Sequence, residues 1–340
     1  MRVPLPAAIM TTSTAGLILS APQADASLAF RLTAMSFTFF QPVPGTHCPS
    51  AIIGGVGRRF LTLGLLCLVL ALGGCSAARL GYSAAPDLMY LWLDNYLDFD
   101  NAQSRRVGAE LKTLHRWHRS EEMPLVAELL QEAQTLALQN PDGPRFCTLY
   151  SSVFQRSEAL TQRAVPIAAA LVPGLKPEQL AGLAKTYEKN NRKMREEWQD
   201  ARAQGMDLRT RKSLERMEDL YGKLSAEQTR VFKEAMAQTG FDEKRYFEEV
   251  QARQQALLQT LERLRGADTP AAQSALAELA QRYVLSSNPA YRQYHEQMTA
   301  NTCQAFARLH AQTSAEQRKH MVRLLKGYEN DVRAMAAQKD

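Results

Sequence analysis

The sequence predicts an all-α protein, a multi-helix bundle of antiparallel helices. Three observations carry this reading. Beyond residue 75 no stretch keeps a period-two alternation, and no Asn-Gly or Asp-Gly pair joins two strand-like runs as a hairpin turn. Ala, Leu, Glu, Gln, Arg and Lys dominate the same region, and all of them favour helix. Proline and glycine then cut the chain into helix-sized pieces with short connections, as expected of antiparallel neighbours.

Taken in order, Leu88, Trp92 and Tyr96 fall at i, i+4 and i+8, on one face of a short first helix. Asp98-Phe99-Asp100 interrupts it, and Asp100 with Gln103 forms a capping-box-like start. The second helix then runs to about Arg119, with Val107, Leu111, Leu114 and His118 on one side. Pro124 suits a first turn and opens a third helix over residues 123–139. Residues 140–144, Asn-Pro-Asp-Gly-Pro, are a turn cluster. A fourth helix follows over 145–164, then a separate apolar piece, 166–171, after Pro166. Pro177 opens a long helix to about Gly205, and further helices cover 207–222, 225–238, 242–265, 270–285, 289–311 and 315–337.

Three of these helices begin alike: Leu175-Lys176-Pro177-Glu178-Gln179, Leu224-Ser225-Ala226-Glu227-Gln228 and Thr313-Ser314-Ala315-Glu316-Gln317. In the last two a serine can cap free amides while the glutamine reaches back, and the glutamate sits at the positive helix end. They read either as independent caps or as traces of repeated helical hairpins. Their unequal spacing gives no solenoid period.

The other landmark is residues 58–75, RRFLTLGLLCLVLALGGC. Two arginines precede an apolar run from Phe60 to Leu72, then Gly73, Gly74 and Cys75. A positive region, an apolar core and a small-residue ending make an export signal. The run is shorter than the about 20 apolar residues a membrane span needs. Its last four residues resemble the lipobox of bacterial lipoproteins, which implies a lipidated Cys75 as the first mature residue. The sequence thus divides into residues 1–57, proline-studded and expected to be disordered or to precede the true start; a signal segment, 58–74; an anchor or tether, 75–83; and a helical domain, 84–340.

Removing residues 1–74 leaves 266 residues and takes away Arg2, Arg31, Arg58, Arg59 and Asp25, so the formal charge falls from +6 to +3. So mild an excess gives no argument for a nucleic-acid partner. Of the five cysteines, Cys48 and Cys67 precede the lipobox and Cys75 carries the lipid, which leaves Cys147 and Cys303. In an oxidising compartment they are a disulfide pair or two separate buried thiols. A bridge would stabilise by roughly 4–5 kcal/mol in the chain-entropy account.

Two resemblances add to this. Cys75-Ser76, Arg79-Leu80, Tyr82, Trp92-Leu93-Asp94-Asn95-Tyr96-Leu97-Asp98-Phe99, Gln103 and Trp117-His118-Arg119 with Glu122-Met123-Pro124 resemble, in order and spacing, the opening of an uncharacterised Gram-negative lipoprotein family. That family is a domain of unknown function, and the resemblance implies a lipid-anchored, exported helical protein. Ser83-Ala84 departs from it where asparagines are common. The Leu-Ser-Ala-Glu-Gln type starts are similar to the short motif of the Spy/CpxP periplasmic chaperones. By likeness to Gram-negative sorting rules, Ser76 after the cysteine implies the outer membrane, facing the periplasm.

For chemistry, His115 and His118 share a helix face, and Glu122 one turn on could complete a metal site. They serve equally as packing and helix-end groups, and no metal or other cofactor is expected. No Gly-x-Ser-x-Gly elbow or Gly-rich phosphate loop occurs. Basic residues from Lys189 to Arg216 alternate with acids, as on a solvated, ion-paired face or one that binds an anionic polymer or head group. The expected function is a non-catalytic binding, scaffold or chaperone-like envelope module. It would be held to the membrane through Cys75 and would meet a protein, peptide or lipid partner. Trp92, Trp117, His118 and Arg119, with Tyr187 and Trp198, are the candidate binding residues. The alternative is a metal-dependent hydrolase using the His115/His118 region.

Overall fold

The computed structural model describes residues 77–338, and every regular element among them is helical, as predicted. Residues 1–57, the signal segment, Cys75 and Ser76 lie outside the described residues. In chain order the helices are α1 (Ala77–Ser83), α2 (Ala85–Leu97), α3 (Asn101–Trp117), α4 (Met123–Ala137), α5 (Gly143–Leu171) and α6 (Pro177–Ala203). Then follow α7 (Leu208–Tyr221), α8 (Ala226–Ala237), α9 (Glu243–Arg263), α10 (Thr269–Val284), α11 (Pro289–Ala311) and α12 (Ala315–Ala336). Among the described residues no helix is long and apolar enough to cross a membrane.

Two boundaries differ from expectation. Pro166 does not end the fourth helix, because α5 continues through it to Leu171. The proline deprives only the Gln162 carbonyl of its donor, and both residues lie on the exposed face, where water can serve. Ala164, Val165 and Ala169 on the opposite face are buried and hold the helix by packing. Between α3 and α4 the backbone does not break but widens into a π-turn, His118–Glu122. Met123 N–H donates to His118 O, five residues back, and Pro124, with no N–H to offer, follows directly. The wide turn buries both His118 and Glu122. Residues 77–83, expected as a tether, are helical: Tyr82 and Ala78 pack on the body, and Arg79 pairs with Asp331 of α12 at 2.8 Å.

The interior is two cores. The first gathers Leu93, Tyr96 and Leu97 of α2, Val107 and Leu111 of α3, Val165 and Ala169 of α5, Leu183 and Tyr187 of α6, Leu257 and Leu261 of α9, and Ala272 and Leu276 of α10. The second gathers Met123, Ala127 and Leu130 of α4, Leu220 and Tyr221 of α7, Phe232 and Met236 of α8, Leu309 of α11, and Leu325 and Val332 of α12. The long α5 serves both, packing its carboxyl half on α10 and its amino half on α11. There Cys147 and Cys303 are joined, their Cα atoms 5.5 Å apart, closing a separation of 156 residues. The approach is close: a Cβ at Gly143 would meet Gln304, whose Cα lies 3.1 Å away.

The recurring helix starts meet in pairs. Gln103 and Gln179 are third residues of α3 and α6, and each side-chain oxygen accepts from its own cap N–H, Asp100 at 3.1 Å and Lys176 at 2.9 Å. Their amides also cross. Gln103 Nε2 donates to Gln179 Oε1 (3.2 Å) and Gln179 Nε2 to Gln103 Oε1 (2.8 Å). Gln103 donates again to Gly174 O, and Gln179 to Leu97 O and Asp98 O. Gln228 of α8 and Gln317 of α12 repeat this, with cross bonds of 2.8 and 3.1 Å and further donation to Gln312 O and Lys223 O. In all four cases the amide reaches the carbonyl five residues before the partner glutamine. A carbonyl oxygen has two lone pairs, so one group can close its own cap and bind its partner. The first half of the box is missing at α6, because a Lys176 ammonium cannot accept. A smaller clasp of the same kind, Asn191 with Gln254 (2.7 and 3.0 Å), is buried between α6 and α9.

Candidate ligand cavity

In the second lobe, α4 and the amino half of α5 do not close on each other. α4 presents Val126, Leu129, Leu130 and Ala133, at i, i+3, i+4 and i+7. α5 presents Phe146, Leu149, Val153 and Leu160, one stripe in which Arg156 and Ser157 are the polar members. Between them lies a cavity of about 250 Å³, closed behind by Met217, Leu220 and Tyr221 of α7, Phe306 of α11 and Met321 and Leu325 of α12. The α5 stripe from Phe146 to Leu160 is about 21 Å long at 1.5 Å per residue. The hollow is therefore a slot, apolar along its length.

Its two ends differ. At the Phe146 end, Tyr221 and His310 are buried together at 2.8 Å. His310 Nε2 donates to Gln139 O at 2.8 Å, so Nδ1 accepts from the Tyr221 hydroxyl. Burial holds the His310 pKa down and the Tyr221 pKa up, which fixes both as neutral. This end is satisfied and uncharged.

At the other end stand His118, Glu122, Arg156 and Ser157. His118 lines the slot and is buried, and Nδ1 shares a 3.0 Å hydrogen bond with the Tyr82 hydroxyl. Burial, then the neighbouring His115, lower its pKa to about 4, so it is a neutral imidazole at physiological pH. Glu122 is 4 % exposed, and its Oε2 has no hydrogen-bond partner. Arg156 Nη1 stands 3.5 Å from that oxygen, near enough for charge attraction and long for a hydrogen bond. Burial raises the Glu122 pKa, with Arg156 opposing.

The residues singled out from the sequence are dispersed. Of the binding candidates only His118 reaches the slot. Trp92 is half-buried against the first core, its ring 4.8 Å from Tyr96, and Tyr187 lies inside that core. Trp117 carries Arg163 over its ring at 5.6 Å, and Arg119 acts through its charge on Tyr82. His115 and His118 do not converge on Glu122 as metal ligands, because both turn to Tyr82. His115 Nε2 donates to the Tyr82 carbonyl at 3.0 Å while His118 meets its hydroxyl. Among the described residues no three His, Cys, Asp or Glu side chains group as a metal site requires. Nothing in this geometry supports the hydrolase alternative.

Trp198 lines a second hollow, of about 330 Å³, between α6 and the start of α9, with Arg195, Arg202, Asp242, Glu243 and Tyr246. Arg202 is paired with Glu243 at 3.2 Å, and Lys193 and Lys212 both approach Glu197. This hollow lies on an ion-paired face and is lined largely by charged groups, so the smaller apolar slot is the better candidate despite its size. The decisive residues of the slot, Arg156 and the α5 stripe, carried a signal in the spacing of Phe146, Leu149, Val153 and Leu160.

Comparison with curated proteins and with solved structures gives no match. Residues 95–292, more than half of the chain, match a family of unknown function, DUF6279, which takes in all of the first core's helices from the end of α2 to α10. The chain belongs to this family, DUF6279.

Proposed function

We propose that this protein is a non-catalytic binding module of the bacterial envelope, held to the outer membrane by a lipidated Cys75, whose second lobe receives an apolar ligand in the slot between α4 and α5. The slot is the observation that carries the reading. Sites for small ligands are concave and mostly apolar with a few placed polar groups, and here an apolar hollow of about 250 Å³ ends at His118, Arg156 and Ser157. A volume of about 250 Å³ suits an apolar chain better than a partner helix. The anchoring half rests on Arg58–Cys75 and Ser76 in the sequence.

The test uses the full protein in a phospholipid bilayer with a diazirine-bearing hexadecanol as photoprobe. Labelling concentrated on α4 and α5 peptides, and lost in Ala133→Trp, supports the reading. Labelling spread over surface peptides, and indifferent to Ala133→Trp, removes it. Palmitate incorporation that survives Cys75→Ala would remove the anchoring half.

A further inference from the structure

Resting on that slot as the binding site, we infer that its ligand is a single-chain amphiphile with a carboxylate head, a fatty acid, whose head group takes the place beside Arg156 now faced by Glu122. The slot is apolar from Phe146 onward, and its remaining polar groups are unequal. The Tyr221–His310 pair is neutral and fully hydrogen-bonded. His118 is neutral and engaged by Tyr82. The Arg156 guanidinium is the one cation among the lining residues. A cation at the end of an apolar slot selects an anion on an apolar chain, and the planar fork of a guanidinium fits a carboxylate through two parallel bonds.

Glu122 gives the second, independent sign. A carboxylate that is 4 % exposed would ordinarily be fully hydrogen-bonded, yet Oε2 has no such partner and stands 3.5 Å from Arg156. Arg156 is about a third exposed and lines the slot. Glu122 is thus a resident counter-charge, loosely held, for a position that a ligand carboxylate would hold more closely.

The experiment compares chain-diazirine palmitic acid with the matching hexadecanol and hexadecyl phosphate on the membrane-reconstituted full chain, reading label on α4 and α5 peptides. The acid should label at least fivefold more than the alcohol. Arg156→Gln should abolish that difference while leaving alcohol labelling unchanged, Arg156→Lys should keep part of it, and Glu122→Gln should increase acid labelling. A loss of labelling by both probes in Arg156→Gln with normal labelling in Arg156→Lys also supports the charge requirement. Equal labelling by acid and alcohol in the native protein overturns the inference and leaves the apolar slot standing. Stronger labelling by the phosphate than by the acid overturns the choice of head group. No slot labelling by any probe overturns the binding site itself.

Discussion

The first and second lobes tie their helix starts with the same joint and fill their interiors in opposite ways. Gln103–Gln179 closes the first, and Gln228–Gln317 the second. In the first lobe α5 brings Val165 and Ala169 against Ala272, Leu276 and Ala280, and small side chains let the helices close. In the second it brings Phe146, Leu149, Val153 and Leu160 toward α4, and large side chains hold the helices apart around a slot. One helix thus makes a solid core with its carboxyl half and a hollow one with its amino half. The disulfide sits at the hollow half. Helix joints fix where elements cross, and side-chain size decides whether a cavity remains.

The contrast can be broken at several points. Cys303→Ser should cost about 4 kcal/mol, since bridges over long loops typically contribute 2–5 kcal/mol. Hydrogen exchange should then rise in residues 143–160 far more than in 161–171. Equal rises in both halves of α5 would mean that the bridge does not serve the hollow lobe in particular.

Enlarging a small residue should act with opposite sign in the two lobes. Ala169→Leu, at a site with no exposure, should destabilise by about 3 kcal/mol through overpacking. Ala133→Leu, in the slot, should change stability by less than about 1 kcal/mol or raise it, as cavity-filling substitutions do. Urea unfolding of both variants decides this, and equal losses would show the slot to be no real void.

Acid should strike the second lobe through His118. Its folded pKa of about 4 lies below the ordinary 6.5, so the unfolded chain binds the extra proton first. Stability from this group is full above pH 6.5 and is lost as pH falls toward 4, by about 3 kcal/mol in all. His118→Gln should flatten the pH dependence of Tm in that window; an unchanged slope would place the proton elsewhere.

The smallest effects concern the joints. Gln179→Ala strands the buried carbonyl of Leu97 and should cost about 2 kcal/mol. Gln317→Ala, in a half-exposed position where water can replace the amide, should cost about 1 kcal/mol. The same unfolding series measures both, and a larger loss at Gln317 would reverse the ranking of the two joints.

Much of the fold was legible because it is local. Caps at Asp100, Ser225 and Ser314 announce their helices, and glycines at 205, 222, 240 and 266 take positive φ where the helical pattern stops. Pro166 misled because a proline's cost depends on whether the orphaned carbonyl faces water, which one position does not reveal. The π-turn at His118–Glu122 was hidden because it needs no special residue. The pairing of the glutamine starts escaped because Gln103 follows Phe99 and Asp100 where the others follow Leu or Thr and Lys or Ser, and because partners stand 76 and 89 residues apart. The candidate site was less legible still. Its apolar stripe is periodic in the sequence, but a stripe facing a void and a stripe facing a core have the same spacing. Only the sizes of the facing residues tell them apart, and those come from distant helices.

The four glutamines have one more consequence. An amide neither gains nor loses a proton over the range in which proteins live, and ions in solution do not screen it as they screen a charge pair. Elsewhere the chain trusts its helix packing to charges, as where Gln134, Lys326 and Arg333 hold Glu329 at a pKa of about 2. Acid strong enough to protonate that carboxylate undoes such a contact. The cross-bonded amides themselves answer to neither salt nor acid, so what acid takes from each lobe it takes elsewhere, as at His118.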